Sequence, residues 1–180
     1  KGNGTVFSIC GDAGTGKSRL VEEFKATFDL KEIQWIEGPA YTYSQNIPYF
    51  PLIDLLNLAF QIEEGEPPQK VREKVESGKE NLVGKKEDVV PYVGSLYALS
   101  YPEVEDVSPE FWKSRLQDAT QTIISALAQK APTIFFIEDL HWADASFVGV
   151  LRHCLLEVRY PAIVLCVYRP VFSLFTSHQV

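Results

Sequence analysis

The stretch Gly11-Asp12-Ala13-Gly14-Thr15-Gly16-Lys17-Ser18 packs three glycines into six positions and then offers an ammonium and a hydroxyl. Such a run makes a poor strand and a poor helix, because glycine loses more conformational freedom on ordering than any other residue. Its spacing fits G-x-x-x-x-G-K-[ST], a loop that cradles phosphate. The glycines allow backbone angles that turn successive N–H groups inward as a concave anion nest. A helix starting at Gly16 or Lys17 adds its free N–H groups and positive dipole end. Lys17 would then reach the β and γ phosphates of a nucleotide as a point charge, with the Ser18 hydroxyl on Mg²⁺. Asp12, Ala13 and Thr15 contribute mainly backbone, and Arg19 completes the set read as nucleotide-binding.

A phosphate loop needs an acidic partner for the metal, normally at the end of an apolar strand. The run TIFFI followed by Glu138 and Asp139 supplies one. Paired acids at the C-terminal end of a strand sit where open α/β sheets bind ligands. One would hold Mg²⁺ and the other would orient and deprotonate an attacking water. Arg169 closes the apolar run AIVLCVY on the same rim, where a guanidinium could read the γ-phosphate. Lys17, Glu138, Asp139 and Arg169 are thus the candidate catalytic residues, and Ser18, Glu138 and Asp139 the candidate metal ligands. In the string EDLHWAD, Asp144 reads as a helix N-cap. His141 and Trp142 either pack the turn or face the γ-phosphate. His153 and His178 have no partner visible in the sequence.

Positioning these groups calls for alternating strands and helices. Val6 to Cys10 reads as a buried strand, and Leu20, Val21, Phe24 and Phe28 mark one face of a helix from Lys17. IQWIEG (33–38) is a second short strand, and Pro48 to Ile62 carries a helical apolar stripe with Pro51 in its first turn. Residues 63–90 mix both charge signs and suggest short surface helices; joined to residues 91–110 they make a helical, charge-rich insertion over 63–110. Pro91 to Leu99 is a short apolar helix, YPEVEDVSPE a loop, and Ser108-Pro109-Glu110 opens a long helix to about Gln129. TIFFIED (133–139) and AIVLCVY (162–168) are further strands, with a helix over Ala145 to Val158 between them. Strands that are apolar throughout argue for a parallel sheet covered on both faces. The fold class is α/β: a phosphate-loop NTPase, a three-layer sandwich.

The 180 residues suit one domain with a real core, and 46% apolar with 23% charged residues is a globular composition. A net charge of −7 argues against a nucleic-acid partner, so any anionic ligand is held by local donors. Cys10, Cys154 and Cys166 lie in apolar runs without metal-ligand spacing and read as small buried hydrophobes of a reducing compartment. No apolar run is long enough for a bilayer span, and no secretory signal opens the chain. The expected location is cytoplasmic, away from membranes. The chain contains no methionine, so it reads as a piece of something longer.

Taken together, GDAGTGKSRL, GPAYTYSQNIPYFPLIDLL, TIFFIEDLHWAD and LCVYRP resemble the signal-transduction (STAND, AAA-like) P-loop ATPases. The resemblance is closest to the modules found beside class III adenylate/guanylate cyclase domains and helical repeats in large bacterial regulators. It implies ATP with Mg²⁺ and slow hydrolysis. It also implies a switch coupling nucleotide state to other domains of the same polypeptide, and a phosphate-sensing role for Arg169. It further implies a sheet with the loop strand between the others and the acidic strand beside it. Such proteins usually place an aspartate first in the acidic pair; here Glu138 comes first, which leaves the division of labour with Asp139 open. The usual adenine-holding motif upstream and the helical lid downstream are missing, so residues 1–180 read as a core incomplete at both ends. A non-hydrolysing nucleotide-binding scaffold for protein–protein contact is the alternative. No N-K-x-D guanine reader and no arginine-rich kinase lid occur.

Overall fold

A computed structural model describes residues 4–84, 89–156, 158 and 160–175. Strand β1 (Thr5–Cys10) runs through the glycine loop into helix α1 (Lys17–Lys25), and β2 (Gln34–Glu37) comes next. Three helices succeed it: α2 (Phe50–Phe60), α3 (Pro68–Leu82) and α4 (Val90–Ser95). The long helix α5 (Pro109–Lys130) precedes β3 (Thr133–Ile137), and α6 (Ala145–Leu156) precedes β4 (Ala162–Tyr168). His178 and residues 85–88 of the charged segment lie outside the described residues.

The four strands form one parallel sheet in the order β1-β4-β3-β2. This corrects the expected order. The loop strand lies at one edge of the described sheet, and the acidic strand is separated from it by β4 rather than beside it. Thr5 pairs with Ile163 and Cys10 with Tyr168 on one side of β4, while Thr133 pairs with Ala162 and Ile137 with Cys166 on the other. Strand β4 therefore sets the offset between loop and acids.

Successive side chains of a strand serve opposite faces. Phe135, Ile137, Val164 and Cys166 enter the large core cluster with Leu52 and Leu56 of α2, Leu116 and Ile123 of α5, and Val150 of α6. Phe136, Leu165 and Val167 point the other way and join Val21 of α1 in a smaller cluster. Both faces carry helices, as the apolar strands require. The second face has only α1 over it among the described residues, and Phe7, Leu20 and Phe24 stay substantially exposed there.

Two local expectations fail for the same reason. Strand β1 is not buried, and Cys10 is exposed, because β1 has a strand neighbour on one side only among the described residues. Cys154 and Cys166 are buried as expected, and burial pushes both thiols up to about 12. The charged stretch after Ile62 forms a single 15-residue helix rather than several short ones. Glu73, Glu76 and Glu80 face outward and Lys74 turns in to Glu66, while Val71 and Val75, four apart, pack into the main cluster.

Candidate nucleotide-binding site

The glycine loop closes on itself before α1 begins. Gly14 and Gly16 adopt φ of +77° and +87°, which an L side chain rarely does. Thr15 binds the Asp12 carbonyl through its hydroxyl at 2.9 Å, and the Gly11 N–H donates to the Tyr168 carbonyl at 3.3 Å. The loop is thereby fastened to the end of β4. Helix α1 starts after Gly16 with no side chain capping it, leaving its first N–H groups toward the loop's exposed concavity. Lys17 curls across the loop and donates to the carbonyls of Gly11 and Asp12, each at 2.8 Å. Arg19 does not join it. Its side chain, 84% exposed, lies along the helix 3.9 Å from Glu23.

The acids meet the loop from two strands away. The Ser18 hydroxyl donates to Glu138 Oε1 at 2.8 Å, joining residues 120 positions apart. The Glu138 carbonyl accepts the Ala40 N–H at 3.0 Å, so the segment after β2 is pinned to the same point. Asp139 adopts φ of +51° and turns the chain sharply into the short 3₁₀ turn Leu140–Trp142. The turn is closed by the Trp142 N–H donating to the Asp139 carbonyl at 2.8 Å. The Asp139 side chain is 45% exposed, with Oδ1 3.9 Å from His141 Nδ1 in the same turn. The two acids therefore differ in partner: Glu138 is tied to the loop, whereas Asp139, equally half-exposed, lies beside His141.

Residues after the acids complete the rim. The His141 side chain is 3% exposed, with Nδ1 3.9 Å from Asp139 and neither ring nitrogen hydrogen-bonded among the described residues. Burial pushes its pKa below the ordinary 6.5; Asp139 opposes that, while the Arg169 and Lys17 charges push it further down. The Trp142 ring lies 4.8 Å from the His141 ring, and the Arg169 guanidinium sits over the indole at 5.8 Å. Asp144 is the cap the sequence suggested, accepting from the Ser146 and Phe147 N–H groups at 2.9 and 3.0 Å. His153 instead pairs with Asp118 on the surface at 3.4 Å.

An aromatic cluster beside the site was not evident from single residue types. Tyr41 and Tyr43 stack at 5.0 Å with their edges on Phe50. Burial raises the Tyr41 pKa, with Asp54, Tyr43, Glu138 and Glu37 adding negative potential. The aromatic spacing in AYTYSQNIPYF was the available signal.

A family described as the AAA ATPase domain matches residues 1–166, most of the chain. The chain belongs to this family. No curated protein matches it. Membership makes the chain a P-loop ATPase module, and the parallel sheet with helices on both faces is the fold such a module requires. Arg169 lies just beyond the matched span of the AAA ATPase domain. Among the described residues there is no cluster of three or more His, Cys, Asp or Glu side chains that would hold a metal by itself. The oxygens of Ser18 and Glu138 suit Mg²⁺ nonetheless, because that ion takes few protein ligands and completes its shell with phosphate and water. No described helix of this AAA ATPase domain is long and apolar enough to cross a membrane.

Proposed function

We propose that this domain binds Mg-ATP in the loop Gly11 to Ser18 and hydrolyses it slowly, as a nucleotide switch within a multidomain cytoplasmic signalling regulator. The observation that carries the reading is the 2.8 Å hydrogen bond from Ser18 to Glu138. It brings a hydroxyl and a carboxylate together where a phosphate loop requires magnesium ligands. Glu138, one methylene longer than the usual aspartate, reaches Ser18 from β3 and takes the metal side. Asp139, beside it and half-exposed, takes the water-orienting side. Lys17 exchanges its two backbone carbonyls for phosphate oxygens, and Mg²⁺ bound at Ser18 and Glu138 supplies charge neutralisation. Arg169 reads the γ-phosphate from the end of β4. Among the described residues Asp139 makes no side-chain hydrogen bond, and His141 Nδ1 lies 3.9 Å from its carboxylate. Residues 1–180 act as the P-loop core, with 63–110 an insertion in it, and the negative net charge favours other domains over nucleic acid as partners.

The test is thermal melting with Mg-ATP, Mg-GTP and ATP plus EDTA, beside Lys17→Ala. A ligand specific to the folded state adds about 2.7 kcal/mol of apparent stability at a hundredfold excess over its dissociation constant. The expected result is a magnesium-dependent rise with ATP that Lys17→Ala abolishes. Phosphate release should then fall by roughly 10²- to 10⁴-fold in Asp139→Asn while Mg-ATP binding persists. Binding without any phosphate release would favour the scaffold instead.

A further inference from the structure

We propose that Trp142 is a positioning residue for Arg169, holding the guanidinium where it distinguishes a nucleoside triphosphate from a diphosphate. The inference rests on the nucleotide-switch reading above and deepens it. Arg169 stands at the end of β4 with its guanidinium carbon 5.8 Å from the centroid of the Trp142 ring, within cation–π range. Among the described residues the contact that guanidinium makes is with this indole, and it has neither an ion pair nor a hydrogen bond of its own. A contact through the face of an indole fixes a long side chain without consuming its N–H donors, so they remain available to an anion.

The indole is itself fixed. Its backbone N–H donates to the Asp139 carbonyl, and its ring packs on His141, whose side chain is almost fully buried. The arginine's anchor and Asp139 thus belong to one hydrogen-bonded turn. A shift of the turn at Asp139 would therefore move the indole, and with it the surface on which Arg169 rests. The γ-phosphate is the group such an arginine would engage, and a diphosphate lacks it.

The experiment measures the affinities of the chain for Mg-ATP and Mg-ADP by titration calorimetry. The variants are Trp142→Leu, Trp142→Phe, Arg169→Ala, Lys17→Ala and the Trp142→Leu/Arg169→Ala double mutant. Trp142→Leu should cut the preference for ATP over ADP by roughly 5- to 30-fold, the range a partly desolvated cation–π contact supplies. Affinity for ADP should hold, Trp142→Phe should retain most of the preference, and the double mutant should be no worse than Arg169→Ala. Equal losses for ATP and ADP, equal losses in the Phe and Leu variants, or additive effects in the double mutant would each overturn the proposal. Lys17→Ala separates the two levels. Binding unaffected by Lys17→Ala sinks the nucleotide reading itself, whereas binding lost there with the preference intact in Trp142→Leu sinks only the positioning role. Should Trp142→Leu fail to melt cooperatively, fluorescence decides, with Trp35 and Trp112 replaced by phenylalanine. The change in Trp142 emission on adding Mg-ATP must disappear in Arg169→Ala; if it survives, the proposal is wrong.

Discussion

Strands β1 and β3 lie in one parallel sheet with a single strand between them, yet they experience different surroundings. All five residues of β3 are buried, with neighbours on both edges and helices on both faces. β1 has a neighbour on one edge among the described residues and leaves Phe7 52% exposed. The loop thus grows from the least enclosed strand and the acids from the most enclosed one. Stability and ligand access are drawn from different strands of the same sheet: an interior one and an edge one.

The contrast can be tested where it predicts most. Phe135→Ala, at 2% exposure in β3, should cost about 3–5 kcal/mol in urea denaturation. Phe7→Ala in β1 should stay within about 0.5 kcal/mol. Similar losses at the two sites would erase the distinction. Gly16→Ala comes next. A Cβ there meets nothing within 4 Å, so the expected loss of about 1–2 kcal/mol arises from the left-handed backbone alone. A neutral outcome would show that the loop relaxes freely, sharpening the contrast with β3. Asp144→Ala removes two N-terminal hydrogen bonds from α6 and should cost about 1 kcal/mol by the same measurement.

The smallest effect lies on the helical side. Glu66 receives Lys70 at 2.8 Å and Lys74 at 2.6 Å, hydrogen bonds that hold its carboxyl down at about 2 against an ordinary 4.5. A depressed carboxyl stabilises the fold above its unfolded pKa and loses that contribution as pH falls through the folded one. The urea midpoint should therefore drop between pH 4.5 and about 2, and less steeply in Glu66→Gln.

What the sequence disclosed was what short-range chemistry controls. The glycine loop, the Ser108 cap with Pro109 behind it, and the Asp144 cap all rest on a side chain or backbone angle acting within three residues. That Ser18 should lie near an acid at the end of TIFFI was legible, but which of Glu138 and Asp139 it meets was open, because two adjacent acids at a strand end differ only in how the chain turns after them. Strand order was not legible, since TVFSIC, TIFFI and AIVLCVY are all apolar runs and nothing in them says which lies at the edge. The exposure of Cys10 and Phe7 was hidden for the same reason. The 15-residue helix from Pro68 was obscured by its mixed charges, against which Val71 and Val75 are only two apolar signals. The burial of His141 depends on β4 and the turn closing around it, which no local pattern records.

Because β4 lies between the loop strand and the acidic strand, it acts as a shared gauge block for both. A slip of one residue along either of its edges would displace loop and acids by about 3.3 Å. Hydrogen bonds tolerate only a few tenths of an ångström, so Ser18 and Glu138 cannot meet at 2.8 Å unless both edges of β4 are zipped in true register. Ligand affinity in this domain is consequently a readout of assembly fidelity: the register that seats Phe135 and Phe136 in their separate clusters is the same one that seats the site.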